Sequence, residues 1–312
     1  MQYQYSLCSG RKKALLIGIN YIGSKNELRG CINDVDNVEQ FLVRNGFQQG
    51  DIVKLVETSG NPRAIPTRQN ILDGIRWLTS GAKPNDSLFF HYSGHGGQTA
   101  DEPDQYGNYD EDDGMDECIF PVDFKTNGFI IDDLLHDMLV KTIPPGCRLT
   151  TLFDSCHSGS ALDLPFMYSS KGLLKEPSAS NDAGKEMLSS LKQYAMGDSN
   201  ALMKGLGSVA KVYMNRGKVK KANEVSKMTK FAPCDAISFS GCKDSQTSAD
   251  AVIGGQATGA MSYAFLTVMN QNPNQSYLSL LQNMREVLGA KYSQKPQLTS
   301  SHPIDCNLKF IF

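Results

Sequence analysis

An α/β fold, with a mostly parallel central sheet sandwiched by helices, is what this sequence predicts, and three observations predict it. Continuous apolar runs recur along the chain, as they do in strands buried on both faces. Segments with helical spacing, about ten residues or longer, lie between them. Two Gly-flanked segments rich in reactive side chains each follow directly on an apolar run, where open α/β sheets place their sites.

The first strand is Lys13 to Ile19, ending at Asn20. A helix over Asn33 to Val43 turns Val35, Val38, Phe41 and Leu42 to one side. Asp51 to Glu57 is a second strand, and Thr67 to Leu78 a helix with Ile71, Ile75 and Leu78 inward. Ser87 to Tyr92 is the third strand. An acidic loop, the segment Cys118 to Val122 and a helix over Asp132 to Val140 follow, and then the strand Leu149 to Phe153. Ser169 to Pro233 breaks the rhythm: it is rich in Lys, Ser, Gly and Asn, with one weak helical stretch at Ala183 to Met196. Such a segment reads as a functional loop or a linker. The pattern resumes with a strand at Ala236 to Ser240, helices at Gly259 to Asn270 and Tyr277 to Leu288, and a final strand at Leu308 to Phe312. The expected organisation is a leader remnant (1–10), a large segment (11–168), a loose connector (169–233) and a small segment (234–312) completing the same sheet.

Composition narrows the partners. The chain has 312 residues, 40% of them hydrophobic, and a formal net charge of −2, enough for one large core. A near-neutral balance favours neither nucleic acid nor an anionic membrane. No apolar run approaches the roughly 18 residues of a membrane span. The eight cysteines are scattered without CxxC spacing, which argues against a disulfide scaffold or zinc site and for a reducing compartment, cytoplasm or nucleus.

The chemistry concentrates in His91-Tyr92-Ser93-Gly94-His95-Gly96-Gly97 and Asp154-Ser155-Cys156-His157-Ser158-Gly159. A Cys and a His at neighbouring strand ends suit nucleophilic catalysis, because a nearby His keeps the thiolate available near neutral pH. Cys156 is the expected nucleophile and His95 its base. His91 lies inside the strand, and His157 adjoins the nucleophile, so both are disfavoured. Backbone N–H groups near Gly96 and Cys156 are the expected oxyanion donors. The residues alone therefore read as a cysteine peptidase. A catalytically idle module that acts by binding, for instance on protein aggregates, is the alternative, and the intact Cys–His pair argues against it.

These two segments resemble the catalytic motifs of metacaspases, the caspase-like cysteine peptidases of clan CD, family C14, and most of all the type I enzymes of fungi. The resemblance runs from about Arg11 to the C-terminus. It includes Gly18-Ile19-Asn20-Tyr21, Leu28 to Asp34, Pro121-Val122-Asp123, Asp244 to Asp250 and Gly259-Ala260-Met261-Ser262. It implies a caspase-like fold and protein substrates cut after Arg or Lys, rather than after Asp or Asn as in relatives with a similar site. It places Cys31, Asp34, Ser93 and Asp154 around the pocket for the basic side chain; two carboxylates there can pair with a guanidinium or ammonium. By itself Asp34 reads as a helix N-cap. The acidic stretch Asp110 to Glu117 fails the EF-hand pattern, because Tyr109 stands where the first Asp belongs. The resemblance implies a different calcium (Ca2+) site, with Asp116, Asp132, Asp133 and Asp163 as ligands. An enzyme cutting after basic residues meets its own target in the connector, at high effective concentration. Self-cleavage is expected there, foremost at Lys218, Lys220, Lys221, Lys227 and Lys230, with the fragments staying associated. A monomer is expected, and the family name suggests a part in cell death or protein quality control.

Overall fold

The computed structural model describes residues 3–100, 115–155, 161–174, 230–242, 251–253, 256–289, 292 and 294–312. The described residues belong to one compact unit, apart from Met115, which groups with segments outside them. Cys156, His157 and the connector residues 175–229 lie outside the described residues.

The strands are β1 (Lys12–Gly18), β2 (Ile52–Val56), β3 (Ser87–Ser93), β4 (Gly96–Ala100), β5 (Met115–Ile119), β6 (Ile130–Ile131) and β7 (Arg148–Asp154), then β8 (Phe166–Tyr168), β9 (Asp235–Cys242), β10 (Ala251–Ile253), β11 (Gln256–Thr258) and β12 (Lys295–Ser300). The helices are α1 (Cys31–Arg44), α2 (Arg68–Thr79), α3 (Phe124–Asn127), α4 (Asp132–Leu139), α5 (Ala260–Gln271) and α6 (Tyr277–Leu288). Seven strands form the main sheet in the order β2-β1-β3-β7-β9-β12-β8. Parallel pairing joins β2 through β9, and β12 runs antiparallel between β9 and β8. The fold is α/β, as the alternation of runs and helices predicts.

Each face of the sheet buries its own core. On one, Leu15, Ile17, Phe90 and Phe153 pack with Ile71, Ile75 and Leu78 of α2 and Leu135 and Leu139 of α4. On the other, Leu16, Phe89, Leu152 and Phe239 pack with Val38 and Phe41 of α1, Phe265 of α5 and Leu281 of α6. Strands covered on both faces read as unbroken apolar runs, which is why β1, β3 and β7 are legible in the sequence.

The chain's end differs from expectation. Residues 308–312 form no strand; Lys309 makes a single bridge to Ser276. The apolar alternation there serves packing instead: Phe310 is buried against Phe239 and Tyr277, with ring centroids 5.5 and 5.6 Å away. The last strand is β12, whose Pro296 and polar Gln297, Thr299 and Ser300 carry no apolar signal although these three side chains are buried.

A buried ion pair ties the far side of the sheet together. Arg148 of β7 donates to Asp235 of β9 at 2.7 Å and to the Tyr277 hydroxyl of α6 at 2.7 Å. Asp235 also accepts the Ser6 N–H and contacts His302, drawing both ends of the chain onto one carboxylate. Burial works to raise the Asp235 pKa, but His302 and Arg148 overcome it and hold the carboxyl below its ordinary value. Its contribution is therefore present above about pH 4, the unfolded Asp value, and fades as pH falls through the lower folded one. Asp235→Asn should lose about 3–5 kcal/mol at pH 7, the cost of stranding one member of a buried pair. Urea unfolding checks this, and the gap to wild type should narrow below pH 4.

Candidate active site

The parallel register of β3 and β7 sets the site, because Ser93 and Asp154 are paired partners at the two strand ends. His95 follows two residues after Ser93, and Gly96 opens β4. Cys156 follows Asp154 closely in sequence and lies outside the described residues, so its side chain takes no part in the geometry below.

Among the described residues, His95 is held by backbone rather than by an acidic partner. Its Nε2 stands 2.6 Å from the Asn26 carbonyl, and its ring packs on Tyr21 with centroids 4.5 Å apart. A carbonyl only accepts, so Nε2 carries a proton and Nδ1 is the basic nitrogen of the neutral ring. The His95 N–H donates to the Tyr21 hydroxyl at 3.0 Å, and the Tyr92 hydroxyl donates to the His95 carbonyl at 2.6 Å. Tyr21 has φ of 54°, a left-handed value rare for a bulky residue. Glu57 stabilises that turn by accepting the N–H groups of Asn20, Tyr21 and Ile22. Neither Asn26 nor Glu57 was legible as a support for the base, since one acts through its carbonyl and the other through a turn.

His91 is not poised for proton transfer. It is fully buried in β3, and burial pushes its pKa down to about 3. Its Nε2 lies 2.9 Å from the Ser262 hydroxyl of α5.

The carboxylates predicted to line the pocket do converge. Asp34, completely buried on α1, accepts from Ser93 Oγ at 2.7 Å, from Thr258 Oγ1 at 2.5 Å and from the Gly259 N–H. Asp154 accepts the Ser262 N–H at 2.8 Å. Burial, and then the nearby Asp154, push the Asp34 pKa well above the usual carboxylate range. Cys31 is buried at the start of α1, its N–H donating to the Asn20 side chain at 3.0 Å. Asp34 thus sits inside the first turn of α1, and Gly30 takes the cap position instead. The donors from Thr258, Gly259 and Ser262 were not assigned from sequence: they belong to the small segment, far along the chain. The quoted Gly259-Ala260-Met261-Ser262 carried the only signal. Gly259 is needed for space, since a Cβ there would lie 2.1 Å from Asp154 Oδ2.

The four aspartates named as calcium ligands come from neighbouring segments. Asp116 is buried on β5, and Asp132 opens α4, accepting the Glu117 N–H at 2.9 Å. Burial, then Asp163, push the Asp132 pKa up to about 9. Asp163, at φ of 48°, is tied to α4 through the Leu162 carbonyl, 3.1 Å from His136 Nδ1. Among the described residues no three acidic, Cys or His side chains converge as they stand to hold an ion. The Lys230 ammonium reaches between Asp133 and Asp163 and ion-pairs with both. The donor set is all hard carboxylate oxygen, and a cation would relieve the disfavoured ionisation of Asp132, so these residues fit calcium once the lysine withdraws. Lys230 itself, one of the expected cleavage positions, is only 7% exposed and is not presented to an active site in this conformation. Lys218, Lys220, Lys221 and Lys227 lie outside the described residues.

Comparison with known proteins identifies this arrangement. The family model for the metacaspase peptidase C14 domain matches residues 12–165. Metacaspase-1 of Lodderomyces elongisporus is 73% identical over 310 residues, covering 99% of this chain and 69% of the relative. The chain belongs to the metacaspases. Metacaspase-1 of Candida albicans is 72% identical with the same coverage. Membership makes the chain a C14 cysteine peptidase, with protein substrates. The fold is shared with caspase-1 of Spodoptera frugiperda at 11% identity and a TM-score of 0.50, covering 96% of this chain and 88% of that one. A Geobacter sulfurreducens protein matches at 23% identity and a TM-score of 0.57, covering 96% and 97%. This metacaspase is therefore caspase-like in fold.

Gly259→Ala should leave a folded protein, by circular dichroism, whose kcat/KM falls about 30- to 4,000-fold. Displacing a buried charge partner costs roughly 2–5 kcal/mol. Wild-type kinetics in that variant would show that Asp154 can move without consequence.

Proposed function

We propose that this metacaspase is a calcium-dependent endopeptidase that cuts after Arg or Lys, with Cys156 as nucleophile and His95 as base and acid. The observation that carries the specificity is the convergence of Asp34 and Asp154 at the ends of β3 and β7. A basic substrate side chain placed there would pair its positive charge with these carboxylates.

In the proposed cycle the Cys156 thiol gives its proton to His95 Nδ1, and the sulfur attacks the scissile carbonyl carbon. The C–S bond forms, with the oxyanion held by the N–H groups of Gly96 and Cys156. The C–N bond then breaks, and the His95 proton passes to the leaving amine. Water, deprotonated by His95, attacks the thioester; the C–S bond breaks and the thiol is restored. The Asn26 carbonyl keeps the ring in place throughout.

Asp116, Asp132, Asp133 and Asp163 would hold calcium. When bound it supplies a divalent charge that replaces the Lys230 ammonium between Asp133 and Asp163. Lys230 would then be released together with the end of the connector, where self-cleavage is proposed. Three-residue β8 covers the edge of β12, which discourages strand pairing between copies and supports a monomer. A cytoplasmic or nuclear site of action, in cell death or protein quality control, is testable by a survey of new protein N-termini with and without active enzyme.

Fluorogenic peptides that differ only in the residue before the cut test the catalytic reading. Wild type with calcium should turn over Arg and Lys peptides and not Asp or Asn peptides, and Cys156→Ala should turn over none. Turnover that survives Cys156→Ala, or an Asp preference, would sink it.

Calorimetry separates the calcium claim from activity. In a Cys156→Ala background, Lys230→Gln should bind calcium at least tenfold more tightly than its parent, because the competing ammonium is gone. Asp133→Ala should weaken binding. Equal affinity with and without Lys230 would exclude the exchange.

A further inference from the structure

A cavity of about 910 Å³ opens beside His95, on residues distinct from the carboxylate pocket. Its walls include Tyr21, Leu28, His95, Phe120, Val122 and Phe124. The aromatic wall is preformed, with Phe120 and Phe124 centroids 5.1 Å apart and Tyr21 6.4 Å from Phe124. The two carboxylates on the lining, Glu27 and Glu57, are spent on backbone N–H groups of residues 20–23. Lys25 and Lys125 also line it but are exposed. Ser93 bonds to the Asp34 carboxylate, and two residues on His95 lines this cavity.

We infer that this cavity receives the side chain of the residue that follows the scissile bond, and that it selects a large apolar one. The inference rests on the reading of His95 as the group that protonates the leaving amine. That amine belongs to the residue after the cut, so its side chain must lie on the His95 side of the bond. The residue before the cut occupies the carboxylate pocket. An apolar side chain entering a preformed aromatic cavity gains in proportion to the area it removes from water. A charged one would lose hydration there.

The chain's own connector supplies a second prediction from the same cavity. Its basic residues from Lys204 on are followed by different neighbours: Lys211 by Val212, Lys218 by Val219, Lys221 by Ala222, Lys227 by Met228 and Lys230 by Phe231, but Lys204 by Gly205, Arg216 by Gly217 and Lys220 by Lys221. A subsite for large apolar side chains selects Lys211, Lys218 and Lys227 for self-cleavage, and Lys230 once it leaves Asp133 and Asp163, and passes over Lys204, Arg216 and Lys220.

Internally quenched peptides with Arg before the cut, and Phe, Met, Val, Gly, Asp or Lys after it, test the subsite on the full chain with calcium. The Phe, Met and Val peptides should exceed the Gly, Asp and Lys peptides at least tenfold in kcat/KM. Val122→Trp, which fills the cavity, should reduce the Phe-to-Gly ratio at least fivefold. That ratio, read within one preparation, does not depend on how much of the variant folds. New N-termini after self-cleavage should begin at Val212, Val219, Met228 or Phe231. A flat profile, a preference for Asp or Lys, or N-termini beginning at Gly205, Gly217 or Lys221 would overturn the subsite and leave the peptidase reading standing. No turnover of any peptide would remove both.

Discussion

Two carboxylates buried side by side are the constraint on which the site depends. Asp34 comes from α1 and Asp154 from the end of β7, and each alone would be costly to keep ionised away from water. Hydrogen bonds from Ser93, Thr258 and the amides of Gly259 and Ser262 hold them. Those donors arise on β3, on β11 and at the start of α5, so the pocket exists only when the C-terminal segment is docked on the sheet. The close approach is steric as well as polar. Gly30 lies against the Thr258 backbone, where a Cβ would come within 2.9 Å, and Gly259 lies against Asp154. Main chain and carboxylates meet at distances that only glycine permits.

Much of the fold was legible because the sheet is covered on both faces. Burial of β1, β3 and β7 leaves no room for alternation, and the apolar runs that result mark the strands within a residue or two. Helices α1, α2, α5 and α6 were equally plain from their spacing. The failures share a cause. In β12 three of the buried side chains, Gln297, Thr299 and Ser300, are polar, and Ser300 Oγ donates to the His302 carbonyl at 2.6 Å. Hydrophobic patterning is blind to such a strand, and the apolar tail beyond it drew the assignment instead.

The site divides along the same line. Side chains that act as themselves, His95, Asp34, Ser93 and Asp154, could be named from strand ends and family motifs. Groups that act through the backbone could not. The Asn26 carbonyl and the Gly259 and Ser262 amides have no residue-type signature, since almost any residue offers them. Lys230 shows the converse limit of the sequence. Its charge, read in a basic connector, suggested a cleavage position, whereas its place against Asp133 and Asp163 depends on α4 and the turn after Leu162.

The two acidic groups meet the same electrostatic problem in different ways. At Asp34 and Asp154, hydroxyls and amides donate to the carboxylates, and in the proposed function a cation from the substrate joins them. At Asp133 and Asp163 the chain's own ammonium cancels the charge, and any metal must compete with a cation tethered at high effective concentration. The first arrangement suits a ligand that arrives and leaves at every turnover. The second suits one that switches a state and then stays. Asp163 follows Cys156 by a short stretch of chain, and the carbonyl of its neighbour Leu162 lies against His136 of α4. Under the proposed function, a change of cation at Asp163 would act seven residues along the chain from Cys156.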